Sequence, residues 1–167
     1  PKRDWSSDVC SSDLNVNVAF TLNGGRLYTL RNEELAAFRN FSEKHARTPE
    51  YCGGPAAIAL GLIHARIGAL ADLYERAQND LEPVSQMIFR GHVKLMPRVL
   101  ESLTRIEDAN GKARLGLLEN KRAYPGLARS PEFAEHAEAI NELLRDIDSL
   151  TTHSGFLAER AKFLMDA

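Results

Sequence analysis

The sequence predicts an α+β protein that is predominantly α-helical. Two long stretches repeat apolar residues every three or four positions, which is the spacing of helices that pack along their whole length. One short stretch near the start alternates apolar and polar residues, as a half-buried β-strand does. The final stretch has no proline after position 131, so we expect it to continue as one long helix.

Residues 15–30 are predicted to form a β-hairpin. Val16, Val18, Phe20 and Leu22 alternate with smaller or more polar residues, and residues 26–30 supply the return strand. The turn between them is Asn-Gly-Gly at positions 23–25, which provides the residues with positive φ that a tight hairpin requires.

A short helix is predicted next, with Asn32 as its N-cap and two glutamates in its first turn. Its buried stripe is predicted to be Leu35, Phe38 and Phe41, and Thr48-Pro49 is expected to end it. Gly-Gly at positions 53–54 then precedes Pro55, a residue that suits the first position of a new helix.

Two heptad seams follow and predict an antiparallel helix pair. A break around Gly91 separates them, and Pro83 interrupts the first. Asn110 and Asn120 are polar seam positions, which more often fix the register of helices than bind a ligand. The first seam is Ile63, Ile67, Leu70, Tyr74, Ala77, Leu81, Val84 and Ile88; the second is Val99, Leu103, Ile106, Asn110, Ala113, Leu117, Asn120 and Tyr124.

The final helix is predicted to begin at Ser130-Pro131, a cap residue followed by proline in the first turn. Its apolar seam weakens after Ile147, where Thr151 and Ser154 replace large aliphatic residues, and this predicts a change of neighbours. The seam comprises Phe133, Ala137, Ile140, Leu144, Ile147, Thr151, Ser154, Ala158, Ala161 and Met165.

Composition limits the partners and the compartment. The chain has 21 basic and 23 acidic residues and a net charge of −2, so charge gives no reason to expect a nucleic-acid partner.

Residues 4–14, DWSSDVCSSDL, resemble a translated sequencing adapter, and we treat residues 1–14 as a non-native, disordered leader. That leaves Cys52 as a single cysteine, which fits a reducing compartment. The longest apolar run, residues 56–63, is shorter than a membrane span, so we expect this segment itself to be soluble.

Three segments in order resemble the CorA family of magnesium channels. The most specific is the end of the chain, where LRDIDSL at 144–150 precedes His153 and FLMDA at 163–167. Residues 18–39, VAFTLNGGRLYTLRNEELAAFR, resemble the end of that family's cytoplasmic α/β domain. The heptad segments stand where the family has long paired helices. The resemblance covers residues 15–167 and lacks the family's Gly-Met-Asn selectivity loop.

The resemblance implies a domain plan and an assembly. Residues 15–54 would be the remnant of a cytoplasmic α/β domain, 55–129 an antiparallel helix pair, and 130–167 a stalk helix cut off before the first membrane helix. The full-length protein would be a homopentamer in the inner membrane, anchored by helices beyond this segment, and this segment would be cytoplasmic. The implied activity is Mg²⁺ uptake with regulation by intracellular Mg²⁺, and no enzymatic reaction.

The resemblance also implies metal-binding residues. It places Glu142 at the family's regulatory acidic position between subunits and Asp166 at an acidic ring near the neck of the pore. Asp146 lies four residues after Glu142 and shares its helix face. The implied ion is Mg²⁺, both regulatory and transported, with Co²⁺ or Ni²⁺ as alternative cargo. Zinc-handling relatives are a further alternative, because the selectivity loop is absent from the sequence.

Simpler interpretations stand beside these. Without the resemblance, Glu142, Asp146 and Asp166 are most often solvated surface charges. The five histidines are too scattered for a metal cluster, Cys52 reads as an ordinary loop thiol, and the Gly-Gly pairs read as turns. No catalytic constellation is apparent in the sequence. The alternative function is a soluble coiled-coil scaffold or interaction protein without a transport role.

Overall fold

The computed structural model describes residues 16–45, 53–90 and 96–166. It is mainly helical with one antiparallel hairpin, as the sequence predicts. The elements are strands β1 (Val18–Asn23) and β2 (Arg26–Arg31), helices α1 (Ala36–His45), α2 (Pro55–Phe89) and α3 (Met96–Leu127), a 3₁₀ helix (Pro131–His136) and helix α4 (Ala137–Asp166).

The hairpin follows the predicted pattern. Strands β1 and β2 pair with Val18 opposite Arg31 and Asn23 opposite Arg26, so the turn consists of two residues. Those residues, Gly24 and Gly25, have φ angles of 57° and 73°, as a tight turn between twisted strands requires.

Helix α1 begins later than the sequence predicts. The backbone N–H groups of Phe38 and Arg39 donate to the Leu35 carbonyl at 3.0 and 3.1 Å, so Leu35 rather than Asn32 stands at the helix start. No acidic residue lies in the first turn. The predicted stripe is confirmed, since Leu35, Phe38 and Phe41 are all buried. The chain needs a connecting segment after β2 before Leu35 can be buried. The helix therefore starts later than the sequence predicts. Thr48-Pro49 lies outside the described residues.

Helices α2 and α3 bury the predicted seams. Every residue of the first seam is buried except Ile88, which is half-buried at the end of α2. In the second seam only Asn120 is half-buried. Pro83 lies inside α2 on its exposed side, and the helix continues past it to Phe89. Pro55 is the first residue of α2, as predicted.

Helix α4 packs against both α2 and α3. Gln78 and Glu82 on α2 bond His153 and Arg160 on α4, so these two helices run in the same direction. Asn110 and Lys121 on α3 bond Ser154 and Asp148 on α4, so this pair runs in opposite directions. One hydrophobic core is therefore shared by three helices, with α2 and α3 antiparallel to each other.

The start and the seam of α4 differ from the prediction. The chain after Ser130 forms a 3₁₀ helix before α4 begins at Ala137, and the Ser130 side chain donates to Glu132 instead of capping. Leu143, Leu157 and Leu164 are buried, whereas Met165 is exposed. Contact with two helices widens the buried stripe and shifts it from the predicted line. The seam also continues past Ile147, because Ser154, Leu157, Ala161 and Leu164 are buried.

Helix α2 is long and apolar enough to cross a membrane by length and composition alone. Uninterrupted apolar runs do not reveal this property, because polar and charged residues stand between the apolar residues of α2. In the structure one face of α2 packs on α3 and α4, and its start packs on α1. A core helix of this kind passes the same test, so the feature is weak evidence for a membrane span.

Candidate metal site on the last helix

Glu142 and Asp146 lie one turn apart on α4, about 6 Å along its axis. Glu142 is exposed and Asp146 is half-buried. Their neighbours Leu143 and Ile147 point into the core, with 3% and 0% exposure. The two carboxylates therefore lie at the edge of the buried face of α4, where solvent reaches them.

Several other acidic residues of the helices form ion pairs with basic side chains. Asp148, two residues after Asp146, accepts from Lys121 at 2.6 Å, and Glu82 accepts from Arg160 at 2.8 Å. Within residues 16–45, 53–90 and 96–166, neither Glu142 nor Asp146 forms an ion pair with a basic side chain.

Asp166 is the last residue of α4 and is exposed. It lies twenty residues after Asp146, which corresponds to about 30 Å along the helix. Exposed Phe163 and Met165 stand beside it. The structure therefore brings Glu142 and Asp146 together, and it places Asp166 at a separate position near the end of the helix.

A single copy does not assemble a complete metal site in its described part, where no group of three His, Cys, Asp or Glu side chains could hold an ion. Mg²⁺ prefers six oxygen ligands and usually keeps several waters. The pair on α4 suits a hydrated Mg²⁺ only if water and a second chain supply the other ligands.

Three histidine side chains lie within the described residues. His64 is exposed on α2, and His136 ends the 3₁₀ helix. The ring of His153 stacks on Tyr74 with centroids 5.9 Å apart, and its Nε2–H donates to Gln78 Oε1 at 2.8 Å. His92, Cys52 and the side chain of His45 fall outside the described residues.

A buried polar cluster that the sequence did not predict lies between the three long helices. Tyr74, Asn110 and Ser154 come from α2, α3 and α4 and are 0%, 4% and 0% exposed. Asn110 and Ser154 bond each other, whereas the Tyr74 hydroxyl has no hydrogen-bond partner of ordinary geometry among the described residues. Burial raises the pKa of Tyr74, although the nearby Ser154 hydroxyl and the charge of Arg114 oppose the rise.

The signal for this cluster was present, because all three residues belong to the predicted seams. A heptad count shows which residues face inward, but it does not show which residues of two helices stand opposite each other. For that reason the sequence indicates only a weakening of the seam at Ser154, whereas the structure makes Ser154 the partner of Asn110.

Comparison with known proteins decides the family. The family model described as "CorA-like Mg2+ transporter protein" matches residues 7–167. The chain belongs to this family. The proteins named "Magnesium transport protein CorA" from Salmonella typhimurium, Escherichia coli K12 and Sodalis glossinidius are each 37% identical to it over 155 residues.

These alignments cover 92% of this chain and 49% of each CorA protein. The chain therefore spans about half the length of the curated relatives that it matches. Membership of a transporter family is consistent with the prediction that the chain is not an enzyme. It also favours the transport interpretation over an unrelated coiled-coil scaffold.

Proposed function

We propose that this chain is the cytoplasmic gating part of a CorA-type Mg²⁺ channel of the inner membrane. The supporting observation is the match to the family over nearly the whole chain, together with relatives named as magnesium transport proteins. In this proposal five copies assemble around α4, membrane helices beyond residue 167 form the pore, and the protein carries out no covalent chemistry.

The packing of α4 supports a role between subunits. Its inner face is occupied by α2 and α3, so Glu142 and Asp146 lie outside the core of their own copy. If neighbouring copies meet along α4, their carboxylates converge and repel each other. A hydrated Mg²⁺ between them removes that repulsion, and its binding stabilises the closed assembly by mass action.

The transported ion in this proposal is also Mg²⁺, with Co²⁺ or Ni²⁺ as further cargo. Asp166 belongs to a different step, because it lies about 30 Å along α4 from Asp146. We assign it to an acidic ring that attracts the hydrated cation at the cytoplasmic neck of the pore. Its exposure at the end of the helix is compatible with that role.

The test uses the full-length channel that contains this segment. Glu142→Ala should leave conduction intact but weaken inhibition by intracellular Mg²⁺. Asp146 can partly replace Glu142, so Glu142→Ala/Asp146→Ala should shift the inhibitory Mg²⁺ concentration further than either single change. Current recordings across a series of Mg²⁺ concentrations measure both effects.

Asp148→Ala provides a matched control on the same helix, because that carboxylate is already paired with Lys121. It should leave the Mg²⁺ dependence close to that of the unmodified channel. Unchanged Mg²⁺ sensitivity in the Glu142/Asp146 double variant would return both residues to the category of surface charges.

A further inference from the structure

A polar layer crosses the apolar core between α2, α3 and α4. It consists of Tyr74, Asn110 and Ser154, one residue from each helix, and each is at least 96% buried. The neighbouring core positions on either side, such as Ile106, Ala113 and Leu157, are apolar. A buried amide in such surroundings is costly unless its hydrogen bonds are made.

Two reciprocal hydrogen bonds join Asn110 to Ser154. The Asn110 Nδ2 group donates to the Ser154 backbone carbonyl at 3.2 Å, and Ser154 Oγ donates to Asn110 Oδ1 at 2.8 Å. One acceptor is a backbone carbonyl, so the Asn110 side chain of α3 is held directly against the backbone of α4. Both bonds form together at one axial offset between the helices.

The apolar residues around this pair specify the axial offset between α3 and α4 less strongly than the two hydrogen bonds do. A slide of α4 by one heptad would place Ile147 or Ala161 opposite Asn110, and both are already core residues. Hydrophobic contact would largely survive that slide, whereas the Asn110 side chain would lose its hydroxyl partner inside the core. A single buried asparagine in a helix seam fixes register for this reason.

We propose that the Asn110–Ser154 pair is a register lock that fixes the axial position of α4 against α3. Tyr74 closes the layer from the α2 side, where its ring stacks on His153. The lock makes the three long helices move as one body, so α4 cannot slide past α3 without first breaking the polar layer. This inference concerns the bundle alone and does not depend on the proposed transport role.

The test measures the offset between α3 and α4 with two spin labels. The whole chain carries Glu107→Cys and Glu138→Cys, both exposed positions that lie on opposite sides of the Asn110–Ser154 contact, on a Cys10→Ser/Cys52→Ser background. Electron–electron double resonance should give one narrow distance. Adding Asn110→Leu/Ser154→Ala removes the hydrogen-bonded pair between α3 and α4. The distance distribution should then broaden or gain a second component displaced by about 5 to 10 Å, one turn to one heptad.

The control variant is Asn120→Leu, which makes the same change at another polar seam position of α3. It should keep the single narrow distance. Ser154→Ala alone deprives Asn110 of its hydroxyl partner and should raise the unfolding equilibrium constant roughly tenfold in urea.

Two results would overturn the lock. One is an unchanged narrow distance in the Asn110→Leu/Ser154→Ala protein. The other is loss of cooperative unfolding in that protein, followed by circular dichroism, because the layer would then be required for folding rather than for register.

Discussion

Tyr124 places a phenol in the core near the end of α3, where 8% of the residue is exposed. Burial raises its pKa from 10.0 to about 12, although the positive charge of Arg66 opposes the rise. The folded protein therefore favours the neutral phenol. Its contribution to stability is fully present below pH 10 and is lost as the pH rises through 12.

Tyr124→Phe should reduce the alkaline loss of stability. A rise of two pKa units corresponds to about 3 kcal/mol of unfolding free energy, so the unmodified protein should lose up to this amount more than the variant above pH 10. Urea unfolding at pH 8 to 12 measures it. Tyr28→Phe, which removes a hydroxyl from the half-exposed surface of β2, is the control. Equal alkaline losses in the unmodified protein and in Tyr124→Phe would contradict the assignment.

Single residues also show which features of the structure can be predicted from the sequence. The heptad count identified Asn110 as a polar seam residue that fixes register, but it missed Ser154 as its partner. Only the relative offset of two helices, a tertiary property, brings the two together. The same holds for Glu142 and Asp146. Their spacing predicts one shared face, but among the described residues no third His, Cys, Asp or Glu side chain joins them to hold an ion.

Among the elements, α1 approaches α2 closely at Gly61. A Cβ atom at that position would lie 2.4 Å from Phe41 Cε2, and the Phe41 ring is part of the cluster that joins α1 to α2. Gly68, two turns later on α2, has open space where its Cβ would be. The same helix thus offers one glycine that is required for packing and one that is not.

Gly61→Ala should therefore destabilise the protein by about 1 to 3 kcal/mol, because the Phe41 ring must move out of its packed position. Gly68→Ala should stabilise it by about 0.5 to 1 kcal/mol through helix propensity. Chemical denaturation of the two variants at neutral pH measures both. The packing argument fails if the two substitutions change the unfolding free energy in the same direction.

The elements were predicted best where burial repeats over many residues. The helices α2 and α3 have seams of eight positions each, and the structure buries nearly all of them. Element starts were predicted less well, because one or two residues carry the signal. Asn32 and Ser130 both suit an N-cap, yet burial of Leu35 moves the start of α1, and the 3₁₀ helix delays the start of α4.

At the scale of the whole molecule, the described residues form two hydrophobic clusters. The larger one joins α2, α3 and α4, and the smaller one joins α1 to the start of α2 through Leu35, Phe38, Phe41 and Leu62. Phe20, Leu22 and Leu27 of the hairpin reach the larger cluster but are only partly buried. The three long helices should therefore unfold together, with the hairpin held more weakly.

Amide hydrogen exchange of the whole chain should show that order. Residues 18–31 should exchange faster than residues 63–88, because two strands alone are marginally stable and Leu30 and Tyr28 of β2 are exposed. Gly61→Ala should accelerate exchange most in α1 and the hairpin, since Phe41 lies outside the larger cluster. In α3 and α4 it should lower the protection by no more than the loss of global unfolding free energy. Hairpin amides protected as strongly as those of α2 would mean that the hairpin and the helices form one cooperative unit.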